Sequence, residues 1–191
     1  MTHKTLPDQD IKAATQTWLK SVVIEYSICP FAKRELDRGS IYFSVNRDTK
    51  IEQCLLHLML ECDRLDTEPD IETTLLIYAD SFADFDDYLY FVELAGSLLA
   101  EQGYEGTYQL ASFHPNYCFQ GSEPDDAANY TNRSPYPMLH LLREASLEQA
   151  IDSHPDPENI PQHNIELTRK LGLAKMQALL AACCPVNRSL D

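Results

Sequence analysis

Thr73-Thr74-Leu75-Leu76-Ile77-Tyr78-Ala79 is a near-continuous apolar run, and its reading decides the fold. A run of that length and composition predicts a central strand buried on both faces, which requires a layer on each side of a sheet. Upstream, Thr49 to Arg64 places Ile51, Leu55, Leu58, Met59 and Cys62 on one helical face. Before it, Ser40-Ile41-Tyr42-Phe43-Ser44-Val45 is β-rich and predicts a strand. Downstream, Asp84 to Gln102 predicts a long helix stopped by Gly103. Thr107 to Phe113 predicts a strand ending at His114-Pro115.

The flanks complete the pattern. Asp8 is placed to cap a helix starting near Gln9, with Ile11, Thr15, Trp18, Val22 and Tyr26 along one face. Pro30 cannot continue that helix but suits the first position of a new one. A short helix to Arg38 follows, with Cys29 at its N-cap and Gly39 at its stop. Met138 to Arg143 predicts a fourth strand, and Ser146-Leu147-Glu148-Gln149 looks like a capping box opening a helix at Leu147. A turn at His154-Pro155-Asp156-Pro157 precedes a last helix, Ile160 to Cys183, interrupted near Gly172. The expectation is a single α/β (or α+β) domain over residues 1–191. Its core is a mixed sheet of about four strands flanked by helices, with an N-terminal helix and a C-terminal helical segment.

Composition narrows the function. The 191 residues hold 15 Lys+Arg against 30 Asp+Glu, a formal net charge of -15. That balance argues against a nucleic-acid partner and against docking on anionic lipid. No stretch approaches 18 apolar residues, and Met1 to Asp8 lacks an apolar signal core, so the expectation is a cytoplasmic protein without membrane contact. The six cysteines are then reduced thiols, and their spacing matches no zinc motif. With 6 Gly and no glycine-rich phosphate loop, a glycine-cradled nucleotide is not expected, and the cofactor is left unknown.

Leu65 to Asn132 contains 14 acids and no Lys or Arg, and the first cation after the gap is Arg133. The residues 116–135 form a long loop of the kind that is usually functional or disordered. It ends in Asn132-Arg133-Ser134-Pro135-Tyr136-Pro137, where Arg133 offers a planar fork of donors for carboxylate or phosphate. Asn132 and Ser134 can add donors, and Arg143 is a possible second contact. The structural alternative is an ion pair from Arg133 to Asp125 or Asp126.

Three other residues carry candidate chemistry. His114, at a strand end, and His140, on the returning strand, are candidate acids or bases. The alternative for His114 is capping of backbone groups. Cys29, before Pro30 and one turn from Lys33 and Arg34, is a candidate low-pKa thiol, against the alternative of a small buried residue. The pairs His114/Cys118 and His140/Glu144 have metal-ligand spacing for a helix. On a strand, a four-residue step separates the side chains of His140 and Glu144 by about 13 Å, so no metal site is expected.

The segments Ile28-Cys29-Pro30-Phe31-Ala32, Phe113-His114-Pro115, Tyr130-Thr131-Asn132-Arg133-Ser134-Pro135-Tyr136-Pro137 and Leu139-His140-Leu141-Leu142-Arg143-Glu144, with His154-Pro155, Ile160-Pro161 and Asn164, resemble a bacterial family called domain of unknown function 1415. The resemblance covers nearly the whole chain. It implies one intact domain and no activity.

Three functional readings follow. The first is a binder of, or enzyme acting on, a small anionic ligand held by Asn132, Arg133, Ser134 and Arg143 beside His114 or His140. The second is a thiol-dependent redox protein using Cys29. The third is an interaction protein whose acidic face meets a basic partner.

Overall fold

The computed structural model describes residues 6–184. Four strands, β1 (Ile41–Asn46), β2 (Thr73–Tyr78), β3 (Tyr108–Phe113) and β4 (Met138–Arg143), form one open mixed sheet in the order β1-β2-β4-β3. β1 runs parallel to β2, while β4 is antiparallel to both of its neighbours, β2 and β3. Every residue of β2 is buried, as its unbroken apolar run requires.

One face of the sheet is covered by α3 (Ile51–Thr67) and α4 (Phe85–Glu101), which bury Leu58, Cys62, Leu65, Phe91 and Ala95 against Leu76, Leu139 and Leu141. Asp84 caps α4 by accepting hydrogen bonds from the amides of Asp86 and Asp87. The other face is covered by α1 (Asp8–Trp18), α6 (Ile160–Leu171) and α7 (Leu173–Cys183), with Trp18, Val22 and Met176 packed on Leu75, Ile77 and Met138. Two shorter helices, α2 (Ala32–Arg38) and α5 (Glu144–Ser153), lie at the margin of this second face.

Local chemistry departs from expectation at three helix starts. Asp8 does not cap α1; its carboxylate pairs with Arg47 at 2.8 Å, and Pro7 occupies the N-cap. Cys29 does not cap α2, which starts after a turn at Phe31. The Ser146 capping box is unused, because α5 starts directly at the end of β4 and Ser146 already lies inside it. A feature the spacing does not reveal is a π-helical turn, Leu19–Ile24, that continues α1. The burial pattern of α3 also includes a carboxylate, Glu61, 1% exposed. Glu61 accepts from Ser44 at 2.9 Å and from Arg64 at 3.0 Å. Burial raises its pKa, but hydrogen bonds from His57 and Ser44 and the Arg64 charge outweigh burial, and the net direction is down.

No helix among the described residues is long and apolar enough to cross a membrane. The break between α6 and α7 falls at Gly172, whose φ of 84° and ψ of 154° belong to a region reserved for glycine. Gly96, by contrast, is helical, exposed and faces open space. Gly172→Ala should therefore lower unfolding free energy by about 1–3 kcal/mol, and Gly96→Ala should raise it by about 0.5–1 kcal/mol. Urea denaturation of the two variants checks both signs, and equal effects would refute the backbone assignment.

Candidate functional site

The long loop is ordered around a buried 3-10 turn, Ala127–Thr131. Asn129 at its centre donates to the Glu123 carbonyl at 2.8 Å and accepts from the Phe119 amide at 3.0 Å. Arg133 donates from Nε to the Tyr117 carbonyl at 2.9 Å and from Nη2 to the Pro124 carbonyl at 2.8 Å, with its guanidinium 4.6 Å above the Tyr130 ring. Its own carbonyl accepts from the Trp18 indole at 3.0 Å. Asn132 donates to the Ser112 carbonyl, and Ser134, fully buried, donates to the Tyr136 carbonyl at 2.6 Å. The expected pairing of Arg133 with Asp125 or Asp126 does not form; Asp126 pairs with Arg169 at 2.6 Å, which holds its carboxyl down at about 2. The side-chain donors of this segment thus hold loop and strand-end backbone.

His114 is also engaged on both nitrogens. Nδ1 accepts from the Asn116 amide at 3.0 Å, so Nε2 carries the proton and donates to the Phe82 carbonyl at 2.8 Å. Phe82 has a φ of 58°, unusual for an aromatic residue, and this bond helps fix it. Burial among Phe85 and Tyr88 pushes the His114 pKa down. Arg143 donates to the Leu65 and Ile71 carbonyls at 2.5 and 3.0 Å, joining the end of α3 to β4.

His140 is placed differently. It lies opposite Leu75 on β2 and Ala111 on β3, on the face away from α3 and α4. There it lines a cavity of about 400 Å³ bounded by the sheet, the π-helical turn, α2 and α5. Trp18, Leu19, Val23, Phe31, Phe113 and Leu142 supply much of its apolar wall. Cys29 also faces this cavity, and Arg143 borders it, so three of the seven sequence candidates converge here. His114, Asn132, Arg133 and Ser134 do not line it.

The cavity's polar content is small. Thr73 Oγ1 lies 2.7 Å from His140 Nε2 and 2.6 Å from the Leu141 carbonyl. Burial lowers the His140 pKa to about 4, so the ring is neutral at pH 7. Burial pushes the Cys29 thiol up, against hydrogen bonds from the Phe31 and Ala32 amides, which opposes thiolate formation. At the margin, Arg34 pairs with Glu35 at 3.2 Å. Among the described residues no group of three or more His, Cys, Asp or Glu is arranged to hold a metal ion.

The sequence reading misses Thr73, Trp18 and the α5 face as site residues. Thr73 carried a signal: a hydroxyl opening an otherwise apolar central strand. It also misses a second polar cluster on the opposite face, where Ser44, Asn46, His57 and Glu61 satisfy one another. The His57/Glu61 spacing of four on a helix was its visible trace.

A family model described as protein of unknown function (DUF1415) matches residues 10–178. No curated protein and no solved structure matches the chain.

Two outcomes follow from the engaged side chains. Arg133→Ala should lower unfolding free energy by about 1–3 kcal/mol, through lost charge-assisted bonds, and should speed proteolysis within residues 116–135. Lys at this position should not rescue, since it lacks the fork. A folded, equally stable and equally protease-resistant Ala variant would refute this role. For His140, the unfolded ring titrates near 6.5 and the folded ring near 4. The unfolded state takes up the proton first, so this contribution is full above pH 6.5 and is lost as pH falls toward 4. Denaturation between pH 7 and pH 4.5 should show a shallower decline for His140→Phe than for the wild type, and identical slopes would contradict it.

Proposed function

The chain belongs to the family described as protein of unknown function (DUF1415), and from the geometry of its cavity we propose that it binds a small, predominantly apolar molecule between the sheet and the helices α2 and α5. The carrying observation is a cavity of about 400 Å³ walled by apolar side chains, with a neutral imidazole and a thiol facing inward. Ligand sites have this size and this mixture of apolar wall and few polar groups. Neither α2 nor α5 contains a buried residue, so both stand beside the sheet without packing tightly on it. A ligand between them would supply the missing contact. The π-helical turn and the positive φ of 53° at Ser27 both lie in the segment that shapes this wall. Irregular backbone of that kind concentrates at functional sites.

This reading moves the ligand away from Arg133. Nε and Nη2 of Arg133 and the donors of Asn132 and Ser134 are bonded to backbone, so we assign that segment to holding the loop against β3 and Trp18. The six free cysteines support a reducing compartment, the cytoplasm, as its place of work.

Trp18 is the single tryptophan of the chain and lines the cavity, so its fluorescence reports occupancy directly. The neutral dye Nile red should change the Trp18 emission on binding the wild type. Ala150→Phe, which fills the cavity from the unburied helix α5, should weaken that binding at least tenfold. Equal binding by both proteins would overturn the proposal.

A further inference from the structure

We infer that the cavity selects a neutral apolar molecule carrying a hydroxyl or N–H group, which donates its proton to Nδ1 of His140. This rests on the cavity being a ligand site, and it names the chemistry that the site recognises.

Thr73 Oγ1 has one hydrogen and two close neighbours, the Leu141 carbonyl at 2.6 Å and His140 Nε2 at 2.7 Å. A carbonyl can only accept, so the threonine proton goes to Leu141. Nε2 must then bring its own proton and donate it to Oγ1. The ring is thereby fixed as the Nε2–H tautomer, which leaves a lone pair on Nδ1. Thr73 and Leu141 are buried, so the arrangement that fixes the tautomer is itself held in place.

Nδ1 has no hydrogen-bond partner among the described residues. Nor is it one of the unpartnered polar atoms sealed from solvent, which are Thr74 Oγ1, Tyr78 Oη, Tyr136 Oη and Asn164 Oδ1. It is an open acceptor on a residue that lines the cavity. An acceptor in an apolar wall discriminates strongly by what it leaves unpaired: a molecule of the same shape without a donor strips water from the lone pair and returns nothing.

Charge in the lining argues against an anion. The Arg143 guanidinium is held by the Leu65 and Ile71 carbonyls, and Arg34 is paired with Glu35. Glu72 adds a further carboxylate at the margin, and no cation pairs with it among the described residues. A ligand carboxylate would meet a lone pair and the Glu72 carboxylate, while Arg34 is already paired with Glu35 and Arg143 Nη2 is already held by two carbonyls.

The test uses three naphthalenes of similar shape, read by Trp18 fluorescence at pH 7: 1-naphthol, 1-methoxynaphthalene and 1-naphthoate. The wild type should bind 1-naphthol about five- to tenfold tighter than its methyl ether, the range a single hydrogen bond supplies. 1-Naphthoate should bind weakest of the three. His140→Phe should bind the alcohol and the ether equally. A second measurement needs no variant: in imidazole ¹⁵N spectra of the wild type, Nδ1 of His140 should read as the unprotonated nitrogen and should shift on adding 1-naphthol but not the ether. If the wild type binds alcohol and ether equally, prefers 1-naphthoate, or carries its proton on Nδ1, the inference is overturned while the cavity reading stands. If neither neutral compound nor Nile red binds, the cavity reading itself has failed, and the inference with it.

Discussion

The strand Thr73–Tyr78 is hydrogen-bonded along both edges and covered on both faces, and the remaining elements are arranged to keep it so. Parallel pairing with β1 needs a crossover, which α3 provides while covering one face. Antiparallel pairing with β4 lets that strand enter between β2 and β3, so the chain crosses from β2 to β3 through α4 before returning to fill the gap. The long loop is the cost of that return. Its closure is secured at the strand end by backbone bonds from Asn132, Arg133 and Ser134 and by the locked ring of His114.

This insertion also shapes the cavity. Because β4 is interior, His140 stands between Leu75 and Ala111 rather than at an edge, part-buried at the floor of the cavity. A neutral imidazole in such a place is the physical result of burial exceeding any compensating charge. On the α3/α4 side the sheet is packed densely, as interiors are. On the other side the covering stops short, and the space left over His140 is bounded by helices without a fully buried residue, α2 packing only Ala32 and Leu36 partly on the core.

Sequence periodicity makes most of the elements legible, because burial on one or two faces writes itself into residue spacing. All four strands lie within a residue or two of their expected spans, and the stops at Gly39 and Gly172 follow from backbone conformations that favour glycine. Helix starts are less legible. Ser146 to Gln149 is a sound local signal, yet the end of β4 already commits Glu144 to the next helix. Glu61 breaks the apolar pattern of α3 because its partners, Ser44 and Arg64, come from another element and from the next turn. The cavity is harder still. It is assembled from the π-helical turn, α2, all four strands and α5, and no spacing within one segment encodes a space between segments. Arg133 is marked in the sequence by the cation-free stretch before it, but whether its fork meets a ligand or the chain's own carbonyls depends on how the loop closes.

Helices α2 and α5 have a consequence for how the molecule fluctuates. Stability is distributed unevenly within a fold, and elements without buried side chains open at a small fraction of the global cost. The sheet with α3 and α4 carries the deepest burial, while α5, with no buried residue, and α2, tied by Ala32 and Leu36, are held by less. The interior beside His140 is therefore reachable by a local excursion that leaves β2 and the sheet intact. A molecule bound there as proposed would enter and leave with the lifting of one short helix, on a clock separate from that of folding.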